Sequence, residues 1–261
     1  VRVQNIAKKF GTPFYCYSYK KLKENITNFK RNFNSFSPLI CFAVKSNTNV
    51  NLIREIRKLG LGADVVSMGE LMLALKAGVE PKKIVFSGVG KTSTEISYAI
   101  DKGILLINAE SKSEINEIEK IAKFKKKTVN IGIRLNPNTD AKTLKQISTG
   151  KKENKFGVDE KTFFELVNYT KISKHINLKC LSVHIGSQIL NYKPYEKMLK
   201  VVDGIIKKSN HIFEYVDLGG GMGISYEDAH KKLNYKKYSI AINKFLKNNK
   251  SKIIFEPGRS I

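Results

Sequence analysis

The stretch LICFAVKSNTNVNLIREIRKLGLGADVVS, residues 39–67, reads as strand, helix and strand in quick succession. LICFAVK at its start and GADVVS at its end are apolar runs of strand length. Between them Leu52, Ile53, Ile56 and Leu59 recur at helical spacing and form one face. Strands joined through a helix run parallel, with a right-handed crossover. The alternation continues along the chain. KIVFSG, ILLINAE, VNIGIRLN, LKCLSVHIG, YVDLGGG and KIIFEPG are further strand-like runs. GELMLALKAG, closed by a glycine suited to a C-cap, and EINEIEKIAKF are further helical segments. Eight such runs in 261 residues fit a closed (β/α)8 barrel of the TIM type, with an open doubly wound sheet as the rival. PFYCYS, residues 13–18, reads as an earlier strand with no place in the barrel.

Apolar residues make up 41% of the chain and charged residues 27%, the balance of a soluble globular protein. No run approaches the roughly 18 apolar residues of a membrane helix. The first residues lack the apolar core of a signal peptide, so the expected location is cytoplasmic, with no membrane partner. Cys16, Cys41 and Cys180 have no metal-ligand spacing, and two of them sit in apolar runs as expected buried thiols. The formal charge of +24 raises the question of a nucleic-acid partner. Only 6 of the 47 basic residues are arginine, however, and the lysines are spread along helical segments beside many Asn and Ile, as AT-rich coding produces. The densest run, KFKKK at Lys123 to Lys127, reads as the exposed end of a helix. A solvated basic surface is therefore expected, not a nucleic-acid site.

Barrel active sites lie at the C-terminal ends of strands. Those positions hold Lys45, Asp64, Ser67, Ser87, Glu110, Arg134, Asn136, His184, Ser187, Gly219 to Gly221, Glu256 and Arg259. In DLGGGMG three successive glycines, Gly219, Gly220 and Gly221, let backbone N–H groups approach an anion such as phosphate. A tight strand-to-helix turn alone needs only one or two. The spacing is not G-x-G-x-x-G, which disfavours a dinucleotide. Arg259, beyond the Pro257–Gly258 bend, is suited to a bidentate grip on phosphate or carboxylate. Lys45 in a barrel mouth near a phosphate cradle is placed for covalent attack on a carbonyl, and partial burial beside other cations is expected to lower its pKa. The phosphate-bearing aldehyde that needs such a lysine is pyridoxal 5'-phosphate. A purely structural pairing of Lys45 with Glu70 or Asp64 is the competing reading.

FAVKSN, GLGADVVSMGEL, KIVFSGVGKT, ISTGKKENKFG, HIGSQI, DLGGGMGI and EPGRSI together closely resemble the fold-type III pyridoxal-phosphate decarboxylases, in the family's order from near residue 11 to the end. SGVGKT and STGKKENKFG favour the diaminopimelate branch over the ornithine and arginine branches. The resemblance implies an alanine-racemase-like barrel over residues 20–261, preceded by a strand within 1–19 that would pair with a C-terminal β domain beyond this stretch. It implies Lys45 as the lysine bonded to the cofactor and His184 as the residue stacked on the pyridine face. Gly219, Gly220, Gly221 and Ser187 would hold the phosphate, with Pro257 and Gly258 in the same cofactor loop. Glu256 would partner the pyridine nitrogen, and Arg259 would reach phosphate or the substrate carboxylate. Arg134 and Asp64 would lie around the cofactor ring. The implied reaction is decarboxylation of meso-diaminopimelate to L-lysine and carbon dioxide by a homodimer. Ser182 stands where the family often has a second histidine. A non-catalytic cofactor carrier is an alternative, but it would not need SGVGKT and STGKKENKFG. A racemase of this fold would place arginine where Glu256 stands.

Overall fold

The computed structural model describes residues 2–139, 156–226 and 232–261. The eight expected runs are the eight strands of a closed parallel barrel in sequential order. These are β1 (Leu39–Ala43), β2 (Gly62–Val65), β3 (Ile84–Phe86), β4 (Leu106–Ala109), β5 (Val129–Arg134), β6 (Ile176–Ser182), β7 (Tyr215–Asp217) and β8 (Lys252–Phe255). Closure comes from the pairing of Leu39 with Ile254 and of Ile40 with Phe255. An open sheet is thereby excluded. The register slips once, between Ile131 and Gly132, where a side chain on Gly132 would collide with Asn108.

Helices connect the strands because each connecting segment carries an apolar stripe and a start signal. In α3 (Val50–Lys58) the Asn49 side chain caps the first turn and Ile53 and Ile56 are buried. In α4 (Met68–Lys76) the cap is Ser67, which accepts from the N–H of Glu70. Ser67 therefore serves as a helix cap. The chain leaves α4 through Gly78, whose φ of 86° is the left-handed turn a glycine takes without strain. In α5 (Ser93–Lys102) Thr92 and Glu95 form a reciprocal capping box. α6 (Lys112–Phe124) ends inside the KFKKK run, as the sequence predicts.

Before β1, α2 (Tyr19–Asn32) lies against the last segment of the barrel. Phe29 and Phe33 from this end of the chain meet Phe255 at ring-centroid distances of 5.5 and 4.7 Å, beside the rings of Tyr235 and Tyr238. The chain opens with a helix, α1 (Val3–Phe10), which buries none of its side chains. The sequence reading places a strand in this part of the chain. PFYCYS itself carries no regular secondary structure, and Tyr15 and Tyr17 are exposed. The pairing expected for it involves residues outside this chain and stays a proposal.

The barrel interior changes character along its axis. Successive residues of a strand face opposite ways, so positions two apart share a side. Near the floor Cys41, Val85, Leu106, Cys180 and Ile254 form a dry apolar cluster. Two residues beyond inward-facing positions stand Asp64, Ser87, Asn108, Arg134, Ser182, Asp217 and Glu256, all buried. From β2 to β8 a buried polar residue therefore stands near or just beyond the C-terminal end, above the apolar cluster. That switch creates the site.

Candidate active site

Lys45 follows β1 on a 3₁₀ turn, Val44–Ser46. Val44 is fully buried and anchors that turn, while the lysine side chain remains 54% exposed. Its Nζ stands 3.3 Å from Oδ2 of the wholly buried Asp64. The Asp64 charge is the main influence on the amine and raises its pKa; burial and the Arg134 charge work against it, and Glu256 works with it. The lowering expected from sequence is thus reversed. Lys45 enters the site as a stably charged ammonium.

Behind this pair lies a connected acid cluster. Asn108 Nδ2 donates to Asp217 Oδ2 at 2.9 Å and to Ser87 Oγ at 3.2 Å. Ser87 Oγ in turn donates to Glu256 Oε1 at 3.2 Å, and Ser182 Oγ lies 3.5 Å from Asp217 Oδ2. Burial pushes the Asp217 carboxyl up to about 6. Burial also drives Glu256 well above the carboxylate range, reinforced by the charges of Asp217 and Asp64. The cluster therefore holds a proton readily at Glu256. Asp217 and Asn108 were not singled out from sequence, although a polar residue inside the apolar run ILLINAE and another directly before the glycines are visible signals.

The glycine run is packed from both sides. A Cβ on Gly219 would stand 2.5 Å from His184 Nδ1, one on Gly220 would stand 2.1 Å from the Glu256 carbonyl oxygen, and one on Gly221 would stand 2.1 Å from the Gly186 carbonyl oxygen. The His184 ring at Gly219, and backbone at Gly220 and Gly221, take the space that side chains would occupy, which is why all three positions are glycine. Gly220 N–H donates to His184 Nδ1 at 3.2 Å. That bond assigns the ring proton to Nε2. Burial, with the charges of Arg134 and Lys45, holds the imidazole well below its ordinary pKa, so His184 is neutral. Ser187 follows Gly186 in the loop that meets Gly221. Pro257 accepts from the Ala43 N–H at 3.0 Å, and Gly258 passes close to Ser46, so the end of β8 is tied to the Lys45 turn.

Lys45, Ser87, Arg134, Phe156, His184 and Glu256 line one cavity of about 390 Å³ at the C-terminal end of the barrel. Four of the expected site residues, Lys45, Arg134, His184 and Glu256, thus meet there. Asp64 sits next to it, paired with Lys45. Arg259 does not line it: its guanidinium lies on Tyr226, donating to the phenol oxygen, and it borders a separate groove with Ser46 and Asn47. Asn136 accepts from Asn138 N–H in its own turn. Most of ISTGKKENKFG falls at 140–155, outside the described residues; Phe156 and Gly157 are described.

A lysine at the cavity wall, a neutral imidazole face, a carboxyl disposed to carry a proton and a glycine cradle form the set that a pyridoxal-type cofactor requires. Residues 19–261 match the family model described as pyridoxal-dependent decarboxylase, pyridoxal binding domain, and the chain belongs to that family. Among individual relatives, diaminopimelate decarboxylase of Aquifex aeolicus (strain VF5) is 40% identical over 265 residues, which is 100% of this chain and 62% of that protein. Diaminopimelate decarboxylase of Helicobacter pylori (strain J99) is 42% identical over 262 residues, covering 99% and 64%. The crystal structure of diaminopimelate decarboxylase from Helicobacter pylori complexed with L-lysine superposes with a TM-score of 0.95 at 40% identity, over 99% of this chain and 66% of that one. The chain therefore spans less than two thirds of the length of these relatives.

Proposed function

We propose that this chain is the cofactor-binding barrel of a diaminopimelate decarboxylase, acting with pyridoxal 5'-phosphate on meso-2,6-diaminopimelate to release L-lysine and carbon dioxide. The observation that carries the reading is the shared cavity of Lys45, His184, Arg134 and Glu256. The residues fit the cofactor in two further respects. The three glycines form a cradle that any side chain would fill, and Asp64 keeps a buried Oδ1 without a hydrogen-bond partner among the described residues, beside the lysine that must react.

Bound there, the cofactor would supply an electron sink for the bond broken at the α-carbon. The rest falls to the protein. Lys45 gives the attacking amine and must first shed a proton, which the neighbouring Asp64 charge opposes. Glu256 carries a proton at the cavity wall, suited to a ring nitrogen that is basic. Neutral His184 offers a flat face without adding charge. The N–H groups around Gly219, Gly220 and Gly221, with Ser187, Gly258 and Arg259, are the proposed phosphate grip. Arg134, already inside the cavity, is the cation for an anionic group near the ring. By family resemblance we extend the reading to a homodimer of the longer enzyme in the cytoplasm.

The test is borohydride reduction of the chain mixed with pyridoxal phosphate, followed by peptide mapping. Label confined to Lys45, against a background of many lysines, is the expected result. Label scattered over surface lysines overturns the reading. The 261-residue chain is expected to bind cofactor but to turn over meso-diaminopimelate poorly, and full turnover would refute that second point.

A further inference from the structure

Three charged side chains beyond the cofactor residues, Lys91, Glu114 and Glu110, form a continuous chain with Arg134 along one wall of the cavity. Lys91, from the SGVGKT motif, is a wholly buried ammonium. It donates to Glu114 Oε1 at 2.7 Å, to the Gly88 carbonyl at 2.6 Å and to the Asn108 carbonyl at 2.8 Å. Glu114 Oε2 accepts the backbone N–H of Glu110 at 2.8 Å. The Glu110 carboxylate, also buried, then accepts three donors from three segments. Its Oε1 takes Arg134 Nη1 at 2.9 Å and Gly88 N–H at 3.1 Å, and its Oε2 takes Gly157 N–H at 3.0 Å. Two cations and two anions balance, so the chain can be buried without net charge.

Gly88 to Gly90 and Phe156 are walls of the cavity, and Arg134 projects into it with its guanidinium 4.8 Å from the centre of the Phe156 ring. These walls come from the loops after β3 and β5, which have no strand pairing to each other. Glu110, after β4, stands between them. Gly157 has a φ of 71°, and a Cβ there would lie 2.8 Å from the Arg134 carbonyl oxygen, so the backbone at Gly157 is seated as closely as space allows.

We propose that Glu110 is a positioning residue for the cofactor's ring: it clamps the Gly88 and Phe156–Gly157 loops together and fixes the guanidinium of Arg134 at the cavity wall. Lys91 and Glu114 form the strut that holds Glu110 in place. This inference rests on the cofactor reading above. Glu110 touches no cofactor atom; it acts through Arg134 and the two loops. Its influence is therefore confined to the ring end of the ligand. The phosphate end belongs to the glycine run on the far side of the barrel.

The test measures binding of three probes to the 261-residue chain and its Glu110→Gln variant: pyridoxal phosphate, pyridoxal and inorganic phosphate. Expected in the variant is a loss of affinity of about tenfold, the worth of one charged hydrogen bond, for both pyridoxal phosphate and pyridoxal, with phosphate affinity unchanged. Equal affinity for all three probes in both proteins overturns the proposal. A parallel loss for phosphate also overturns it, because that marks a general structural defect. If the Gln variant does not fold, Glu110→Asp carries the same test: it keeps the charge but withdraws the carboxylate by one methylene. Absence of pyridoxal phosphate labelling at Lys45 in the unmodified chain would instead refute the cofactor reading, a result distinct from either.

Discussion

Lys45 Nζ lies 3.3 Å from Oδ2 of Asp64, and the other oxygen of that buried carboxylate has no hydrogen-bond partner among the described residues. The pair joins a half-exposed cation to an anion without solvent. The carboxylate holds the amine protonated, while its other oxygen keeps hydrogen-bond acceptor capacity in reserve.

Removal of that charge should free the amine at lower pH. Asp64 holds the Lys45 pKa up, so Asp64→Asn lowers it, and more neutral amine exists at any given pH below the original midpoint. The pH midpoint for reductive labelling of Lys45 is expected to fall by about one unit, since an opposite charge at such distances shifts a pKa by one to three and solvent screens the exposed lysine. Labelling rate against pH, read by mass spectrometry of the Lys45 peptide, checks this. A midpoint that rises, or does not move, contradicts the assigned role of Asp64.

The raised acids make a second pH dependence. A carboxyl with a higher pKa folded than unfolded holds more protons in the native state, so its contribution to stability declines as pH rises through that interval. For Asp217 the interval runs from about 4 in the unfolded chain to about 6 folded. Neutral His184 has the opposite sign, because the unfolded chain takes up its proton below the ordinary histidine pKa. The informative quantity is therefore the difference between the wild-type chain and Asp217→Asn. Asn108 has an unpartnered buried Oδ1 among the described residues, which can accept from the new amide after a flip. The variant is expected to gain on the order of 1–3 kcal/mol relative to wild type as pH rises from 4 to 7, measured by urea unfolding. A difference independent of pH would refute the protonation assigned to this cluster.

Lys91 supplies a third prediction, about stability. Its side chain is fully buried and satisfies a carboxylate and two carbonyls at once. Lys91→Met keeps most of the volume but leaves Glu114 as a largely buried, unpaired anion. Breaking a buried pair from one side costs about 3–5 kcal/mol. Chemical unfolding at neutral pH should show a loss of that size, smaller in Lys91→Met/Glu114→Gln, where the stranded charge is gone as well. Equal losses in the single and double variants would mean the pair is not coupled.

The order of the strands, their parallel pairing and the placement of Lys45, His184, Arg134 and Glu256 at one end were legible because they follow from local pattern and from the rule that barrel sites sit at strand ends. Three features were not. The sign of the Lys45 shift depends on which residue of β2 lies beside β1, a register that periodicity does not specify. The role of Asp217 depends on inward orientation: its strand has only three residues, too few to show an alternation. The resting place of Arg259, on Tyr226, depends on a residue 33 positions away that no local pattern links to it. The helix Val3–Phe10 also escaped notice, being short and without buried side chains, the circumstance in which local sequence is weakest as a guide.

Gly220 offers the sharpest test of the cradle. Its φ is not in the left-handed region, so backbone freedom is not the reason it is glycine; space is. A Cβ would come within 2.1 Å of the Glu256 carbonyl oxygen, which is backbone and cannot rotate away. Gly220→Ala must therefore push the β7 and β8 ends apart. That movement also disturbs the Gly220 N–H bond to His184 Nδ1 and the Glu256 N–H bond to the Gly219 carbonyl, at 3.2 and 2.8 Å. Overpacking of this kind costs about 1–3 kcal/mol. The variant should thus stay folded at room temperature while losing pyridoxal phosphate affinity by more than about tenfold, since both His184 and the phosphate grip shift. Gly204→Ala, within the helix Lys193–Ser209, meets nothing within 4 Å and serves as the control, with affinity unchanged. Wild-type affinity in Gly220→Ala would show that the glycine run is only a turn, and the phosphate would then have to be sought elsewhere.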